Sequence, residues 1–346
     1  MITQTEELKE RWEALKAENP KMRIKNAAQA LGVSEAELLI TKLGEGVTRL
    51  RPEIANILQE VETFGKVMAL TRNEECVHER KGVYLNPDFS SPYGSVFVGE
   101  DIDLRIFTPH WTSAFSVVEE DKKSLQFFGK DGLAIHKIYL TKDSNVDAFS
   151  ALAEKYTDEN QSAELNIEQV PAKAAEKPDS EIDVEGFRQA WRELKDTHQF
   201  FGMLRKFGVS RLQALRLADA DFAQKIKNDA VVALIEKAVK ANFPIMVFVG
   251  NRGNIQIHTG EIKRTLWFDT WINVMDPDFN LHLNTTGITE TWVVKKPTED
   301  GAVTAVEVFN EQGEIIVQFF GKRKPGLPEL EEWRTLVSEL ETEFSL

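Results

Sequence analysis

Short blocks of this chain recur about 180 residues apart, and that self-similarity restricts its possible folds more than any single motif. Trp12-Glu13-Ala14-Leu15-Lys16 is matched by Trp191-Arg192-Glu193-Leu194-Lys195, and Gly32-Val33-Ser34 by Gly208-Val209-Ser210. The stretch from Val67-Met68 to Gly82 is matched by Ile245-Met246 to Gly260, and the turn at Asp131-Gly132 by Gln312-Gly313. The chain therefore reads as a duplication, in which the second half repeats whatever the first half folds into.

Each copy begins with helices. Residues 8–15 carry Trp12 on an amphipathic helix that stops near Asn19-Pro20, since proline disfavours helix in the residue before it. Residues 23–31 form a second helix with Gly32 as its stop. Ser34 and Glu37 make a capping box for a third, and helix is expected up to about residue 62. From Gly65 the texture changes to short β-rich runs at 67–70, 95–98, 104–107, 115–118, 124–128 and 134–140, the last two joined by a hairpin at 129–132. Ser144 is placed to cap a closing helix that runs to about Tyr156. Residues 158–183 are rich in Glu, Ala, Lys, Ser and Pro and read as a linker. The expected organisation is a first repeat at 1–157, the linker, and a second repeat at 184–346. The fold class is α+β, with helices followed by a large antiparallel sheet in each half.

A net charge of −14 argues against general nucleic-acid or anionic-membrane binding, so an anionic ligand has to be held by local cations. The stretch Ala27-Ala28-Gln29-Ala30-Leu31-Gly32-Val33-Ser34 is similar to a helix-turn-helix, but Glu35 and Glu37 stand where a recognition helix needs basic residues. One cysteine, Cys76, excludes an intramolecular disulfide framework, and no apolar run approaches the length of a membrane span. The cytoplasm is the default address. His78, His110, His136, His198, His258 and His282 show no metal-ligand spacing, and no nucleophile motif is present. His78 and His136 fall on strands beside Arg80 and Lys137 and read as surface or sheet residues.

His198 stands apart. Phe187, Trp191, Leu194, His198 and Phe201 are spaced by 4, 3, 4 and 3, which places them on one helical stripe. Such a histidine is by default a core residue. The repeat argues otherwise, because at the matching registers the other copy holds Asn19 for His198 and Glu35 for Arg211, and His282 for Arg105. One composite site with its histidine from the second half follows. An axial imidazole, apolar walls and cations such as Arg211, the pair Lys295-Lys296 and the triplet Lys322-Arg323-Lys324 suit haem with its two propionates.

Several segments then carry a family likeness. They are Val67 to Glu74, Cys76 to Tyr84, Asp101-Ile102-Asp103-Leu104-Arg105, Ser124 to Phe128, His136 to Leu140, Thr197-His198-Gln199-Phe200-Phe201, and Gln318-Phe319-Phe320-Gly321 with Arg323-Lys324-Pro325-Gly326. In this order and spacing the chain resembles the haem-degrading, haemin-transport proteins of the HemS/HmuS/ChuS family. The resemblance implies two large antiparallel sheets flanked by helices and one haem in a cleft between the halves. It makes His198 the axial ligand of the iron and Arg105 the catalytic arginine on the open face, where negative charge develops. Arg211, Lys296, Gln318 and Arg323 become the polar groups around the propionates and rim. Phe320 stands where some relatives hold a tyrosine. Haem is then substrate and cofactor together, with an external electron donor and O2. A haem transporter at the inner membrane and a reductase are the implied partners. Iron-releasing ring opening is the enzyme reading, and a cytoplasmic haem carrier is its alternative.

Overall fold

The computed structural model describes residues 4–91, 94–120, 122–170, 173–323 and 328–346, so Lys324 of the basic triplet, with Pro325 and Gly326 after it, lies outside the described residues. Strands fall in two large antiparallel sheets, accompanied by helices, and the chain forms two compact units. One comprises 1–71, 79–171 and 251–256, and the other 72–78, 172–250 and 257–346. Each unit thus takes a short segment from the other half of the sequence.

The first unit opens with helices Gln4–Glu18, Ile24–Leu31 and Glu35–Ile40. Gly32 ends the second at φ 72°, the left-handed conformation that only glycine reaches cheaply. Ser34 and Glu37 then make the reciprocal capping box that their spacing predicts. The second unit repeats the device, with Gly208 at φ 66° and Ser210 accepting from the Gln213 amide. Helix is interrupted on the way to residue 62 and resumes at Ile54–Glu60 and Val61–Phe64. Val47–Leu50 is a strand, paired with Ser113–Glu119. Gly44 and Gly46 break the helix at φ 80° and 85°, and a Cβ on Gly46 would meet the Val118 carbonyl oxygen at 2.2 Å. β-Branched Val47 and Thr48 then favour the extended form. The closing helix Val146–Tyr156 is capped by Asn145, whose side chain accepts from the Ala148 amide, while Ser144 is the last residue of the preceding strand.

In the first unit five strands run in the spatial order Val47–Leu50, Ser113–Glu119, Lys122–Phe128, Ala134–Ser144, Gly65–Arg72. The second unit orders its counterparts identically, as Ala223–Ile226, Glu290–Thr298, Gly301–Phe309, Ile315–Gly321, Ile245–Gly250. Each unit also holds a three-stranded meander, Pro87–Asp88, Ser95–Val98 and Asp103–Ile106 in one, Thr265–Phe268, Trp271–Met275 and Phe279–Asn284 in the other. One face of the second unit's five strands packs on helices Ala230–Ala241 and Glu331–Glu343. The opposite face packs on helices Val184–Arg192, Gln199–Phe207 and Arg211–Leu217 through Trp191, Phe200, Trp292 and Phe309.

Residues 158–170 and 173–178 form no helix or strand, but they are tied down. Arg49 donates to the carbonyls of Ser162 and Glu164, while Lys177 and Glu176 bond Gln213 and Arg216. The segment adheres through backbone and charged groups, which is how a stretch poor in large apolar side chains can still be ordered.

The first unit's core contains a polar chain. Buried His136 bonds Tyr84 at 2.6 Å through Nε2 and Thr71 at 2.9 Å through Nδ1, and Asn254 lies 3.1 Å from the same Nδ1. His136 and His78 are therefore sheet residues but not surface ones. Burial pushes the His136 imidazole down to about 3, so it is neutral in the fold. In the unfolded chain it protonates below about 6.5. The unfolded state then binds more protons between those values, so stability falls as pH drops from about 6.5 towards 3. Between pH 7 and 5 this residue is expected to remove on the order of 2 kcal/mol. Urea unfolding of the parent and of His136→Val at both pH values checks it: the variant should lose less stability on acidification, and equal losses would contradict the assignment.

Candidate functional site

His198 is not on a continuous helical stripe. Helix Val184–Arg192 ends where the Glu193 and Leu194 amides turn back to the carbonyls of Gln189 and Trp191. Asp196 then offers one carboxylate oxygen to both the His198 amide, at 2.7 Å, and the His198 ring Nδ1, at 2.6 Å. Such a local side-chain bond competes with helix, so helix resumes only at Gln199–Phe207 with His198 as its N-cap residue. The break turns the histidine out of the core, and its side chain is 91% exposed. Phe200, not Phe201, continues the buried face, against Trp191 at 4.7 Å between ring centroids, while Phe201 is exposed.

The ionised Asp196 carboxylate can only accept, so Nδ1 is the donor of this bond, and in the neutral ring the lone pair is then on the exposed Nε2. The amide and ring bonds from His198, together with the nearby Arg323 charge, outweigh partial burial and hold Asp196 below the usual carboxylate range. An exposed imidazole nitrogen of this kind is a ready metal ligand.

Beneath Phe200 lies a charged triad. Glu307, fully buried on Gly301–Phe309, accepts two bonds from Arg211, at 2.7 and 2.6 Å, and a third from Lys296 at 3.0 Å. Arg211 is the first residue of its helix, as its place after Ser210 predicts. Lys296 Nζ sits 4.4 Å and Arg211 Cζ 5.3 Å from the Phe200 ring centroid. Burial raises the Glu307 carboxyl, but the two cations outweigh it and the group stays ionised. Burial lowers Lys296 to about 8, opposed by Glu307. At neutral pH, two cations against one carboxylate leave a net positive charge.

Strand register extends this surface. Glu307 faces Gln318, which faces Phe248, and Ala305 faces Phe320, which faces Met246. Directly opposed residues share a sheet face. Glu307 and Ala305 are covered, whereas Gln318, Phe320, Phe248 and Met246 are partly exposed, with Phe248 and Phe320 in ring contact at 4.7 Å. The result is an apolar floor with one amide, next to a cationic triad. The first unit carries a different pair at the matching place, buried Glu35 with Lys137, which sums to zero.

Arg105 lies on Asp103–Ile106, where alternation buries Leu104 and Ile106 and leaves Asp103 and Arg105 on the other face. Its guanidinium pairs with the Asp103 carboxylate and donates to the Leu104 carbonyl at 3.1 Å. Burial raises the Asp103 carboxyl above the usual range despite Arg105. His258 is buried on Asn254–Gly260, stacked on Phe279 at 3.7 Å. Among the described residues no group of three His, Cys, Asp or Glu side chains is arranged to hold a bare metal ion.

Two functional residues escape the sequence reading. Glu307 is an acid inside an apolar run, Val303-Thr304-Ala305-Val306-Glu307-Val308-Phe309, and that misfit is its signal. Asp196, two residues before the histidine, has the spacing of an Asx turn.

The family model described as the haemin-degrading HemS/ChuX domain matches twice, at residues 32–156 and 208–340. The chain belongs to the HemS family. The hemin transport protein HemS of Yersinia enterocolitica is 36% identical over 94% of both chains. Among solved structures, the holo form of PhuS, a heme-binding protein from Pseudomonas aeruginosa, matches with a TM-score of 0.95 and 45% identity over 98% of this chain and 99% of that one. The Escherichia coli O157:H7 heme degrading enzyme ChuS matches with a TM-score of 0.91 and 32% identity over 97% and 99%. The double match to one family model agrees with the identical strand order of the two units.

Proposed function

We propose that this HemS-family protein binds haem through His198 and opens its ring with release of iron, in the cytoplasm, as a step in iron acquisition. The observation that carries the reading is the exposed His198 Nε2, left bare by the Nδ1 bond to Asp196, in the same unit as a net-cationic triad and an apolar floor. This donor set fits haem: one imidazole for the iron, Phe248, Phe320 and Met246 for the porphyrin, and positive charge for the propionates. When bound, haem would supply the iron and the conjugated ring, with O2 as the oxidant and an external donor supplying the electrons that activate it.

The residues do the rest. His198 orients the ligand, Arg211 and Lys296 attract its carboxylates, and Gln318 and Arg323 add polar contacts at the rim. The departures from the sequence-level expectation are electrostatic. Arg211 and Lys296 act as one unit through Glu307, so their joint charge, not two separate charges, faces the ligand. A haem transporter at the inner membrane and a reductase are the proposed partners. No helix among the described residues is long and apolar enough to cross a membrane.

Haem added with a reductant in air tests the reading. Decay of the main haem absorbance band with iron release supports turnover, and a stable spectrum means carriage. Carriage has one observation in its favour, the Asp103 carboxylate that already compensates Arg105. Arg105→Ala separates the two. It is expected to bind haem nearly as tightly as the parent and to degrade it at least about tenfold more slowly, ~1.4 kcal/mol of barrier. Equal rates at matched occupancy would leave Arg105 a surface ion pair of little energetic weight.

A further inference from the structure

We propose that Asp196 is a positioning residue for His198, selecting which ring nitrogen meets the iron and strengthening it as a donor; this rests on the haem reading above. The geometry carries the proposal. One Asp196 oxygen receives both the His198 amide and the His198 Nδ1–H, which fixes the ring relative to its own backbone. With the side chain 91% exposed, little packing holds the imidazole, so its orientation depends on this bond. A free neutral imidazole exists in two tautomers, and the one bearing hydrogen on Nε2 has no lone pair there for a metal. The carboxylate selects the other.

The same bond has an electronic effect. Drawing the Nδ1 hydrogen towards a carboxylate gives the ring anionic character, which strengthens its bond to a metal. Ferric iron, the more charged state, gains most. The first repeat holds Ala17 and Asn19 at the registers of Asp196 and His198, so the carboxylate and imidazole occur together or not at all.

The test has two arms on the full-length protein. In the first, nitrogen-15 NMR of the ligand-free parent should show His198 with hydrogen on Nδ1, and Asp196→Ala should shift it towards Nε2. In the second, haemin titration and potentiometry compare the parent with Asp196→Asn, which keeps an oxygen able to accept from the His198 amide and ring but loses the charge. Ferric haem affinity should fall about tenfold, the low end for loss of a ligand's hydrogen-bond partner. Ferrous affinity should change less, so the reduction potential rises; a tenfold change in the affinity ratio corresponds to about 59 mV. The iron–imidazole stretching band should move to lower frequency. An Nε2–H tautomer in the parent, or unchanged ferric affinity and potential in Asp196→Asn, would overturn the proposal while leaving haem binding intact. A parent that takes up no haem would remove the haem reading instead, and the NMR arm would still decide the tautomer.

Discussion

His198→Ala is expected to lose haem affinity by at least about a hundredfold, ~2.7 kcal/mol, with the folded state undisturbed. The side chain is 91% exposed and its bonds are to Asp196, so little packing is lost. Surface changes of that kind normally move stability by less than about 0.5 kcal/mol. The right control is His110→Ala, because His110 is exposed and should leave both binding and stability unchanged. His78 and His258 make poor controls, being buried against Phe279, and their loss would report on folding. Titration of haemin into each variant, followed by absorbance, checks the prediction. A parental ligation spectrum for His198→Ala would assign the iron to another residue.

Glu307→Ala is expected to cost about 3–5 kcal/mol of folding stability, since it strands two cations around a buried site. Arg211 loses both bonds to the carboxylate and Lys296 loses its single one. Lys296 has no easy escape, being 5% exposed, and would shed its proton, whereas Arg211 can reach solvent in part. Glu307→Gln should cost less, because the amide oxygen still accepts one bond. Loss of the carboxylate is offset by loss of the Lys296 proton, so the net positive charge next to Phe200 is kept. Glu307→Gln, if folded, should therefore bind haem about as tightly as the parent. Denaturant unfolding with parallel haem titration checks both halves. A Glu307→Ala protein as stable as its parent would show that solvent reaches the triad and that the pair carries little.

This duality matters for reading substitutions at the site. In the proposed function Arg211 and Lys296 serve the fold and the ligand at once, so alanine at either position is expected to change stability as well as affinity. A fall in haem binding by Arg211→Ala has meaning only beside an unfolding curve. Gln318 and Phe320 face the same sheet surface without such ion pairs, and changes there report on the floor itself.

What the sequence determined by itself was whatever depends on local chemistry or on comparison of the chain with itself. The duplication, the glycine stops at Gly32 and Gly208, the capping box at Ser34, the hairpin at Asp131-Gly132 and the alternation around Arg105 all needed only neighbouring residues or a repeat offset. The family segments around His198 likewise single out the histidine from sequence alone. The tertiary structure decided what depends on partners distant in the chain. That Val47–Leu50 is a strand follows from Ser113–Glu119, which supplies its hydrogen bonds, and no local preference reveals that partner. That Arg211 and Lys296 share Glu307 follows from the packing of helix Arg211–Leu217 on the sheet and the pairing of Glu290–Thr298 with Gly301–Phe309, which set an acid 96 residues from one cation and 11 from the other against both. The exposure of His198 also escaped the periodic reading. Helical spacing assumes an unbroken helix, whereas the helix stops at Arg192 and a single Asp196 oxygen, by capturing the amide and the ring of His198, holds the imidazole outward.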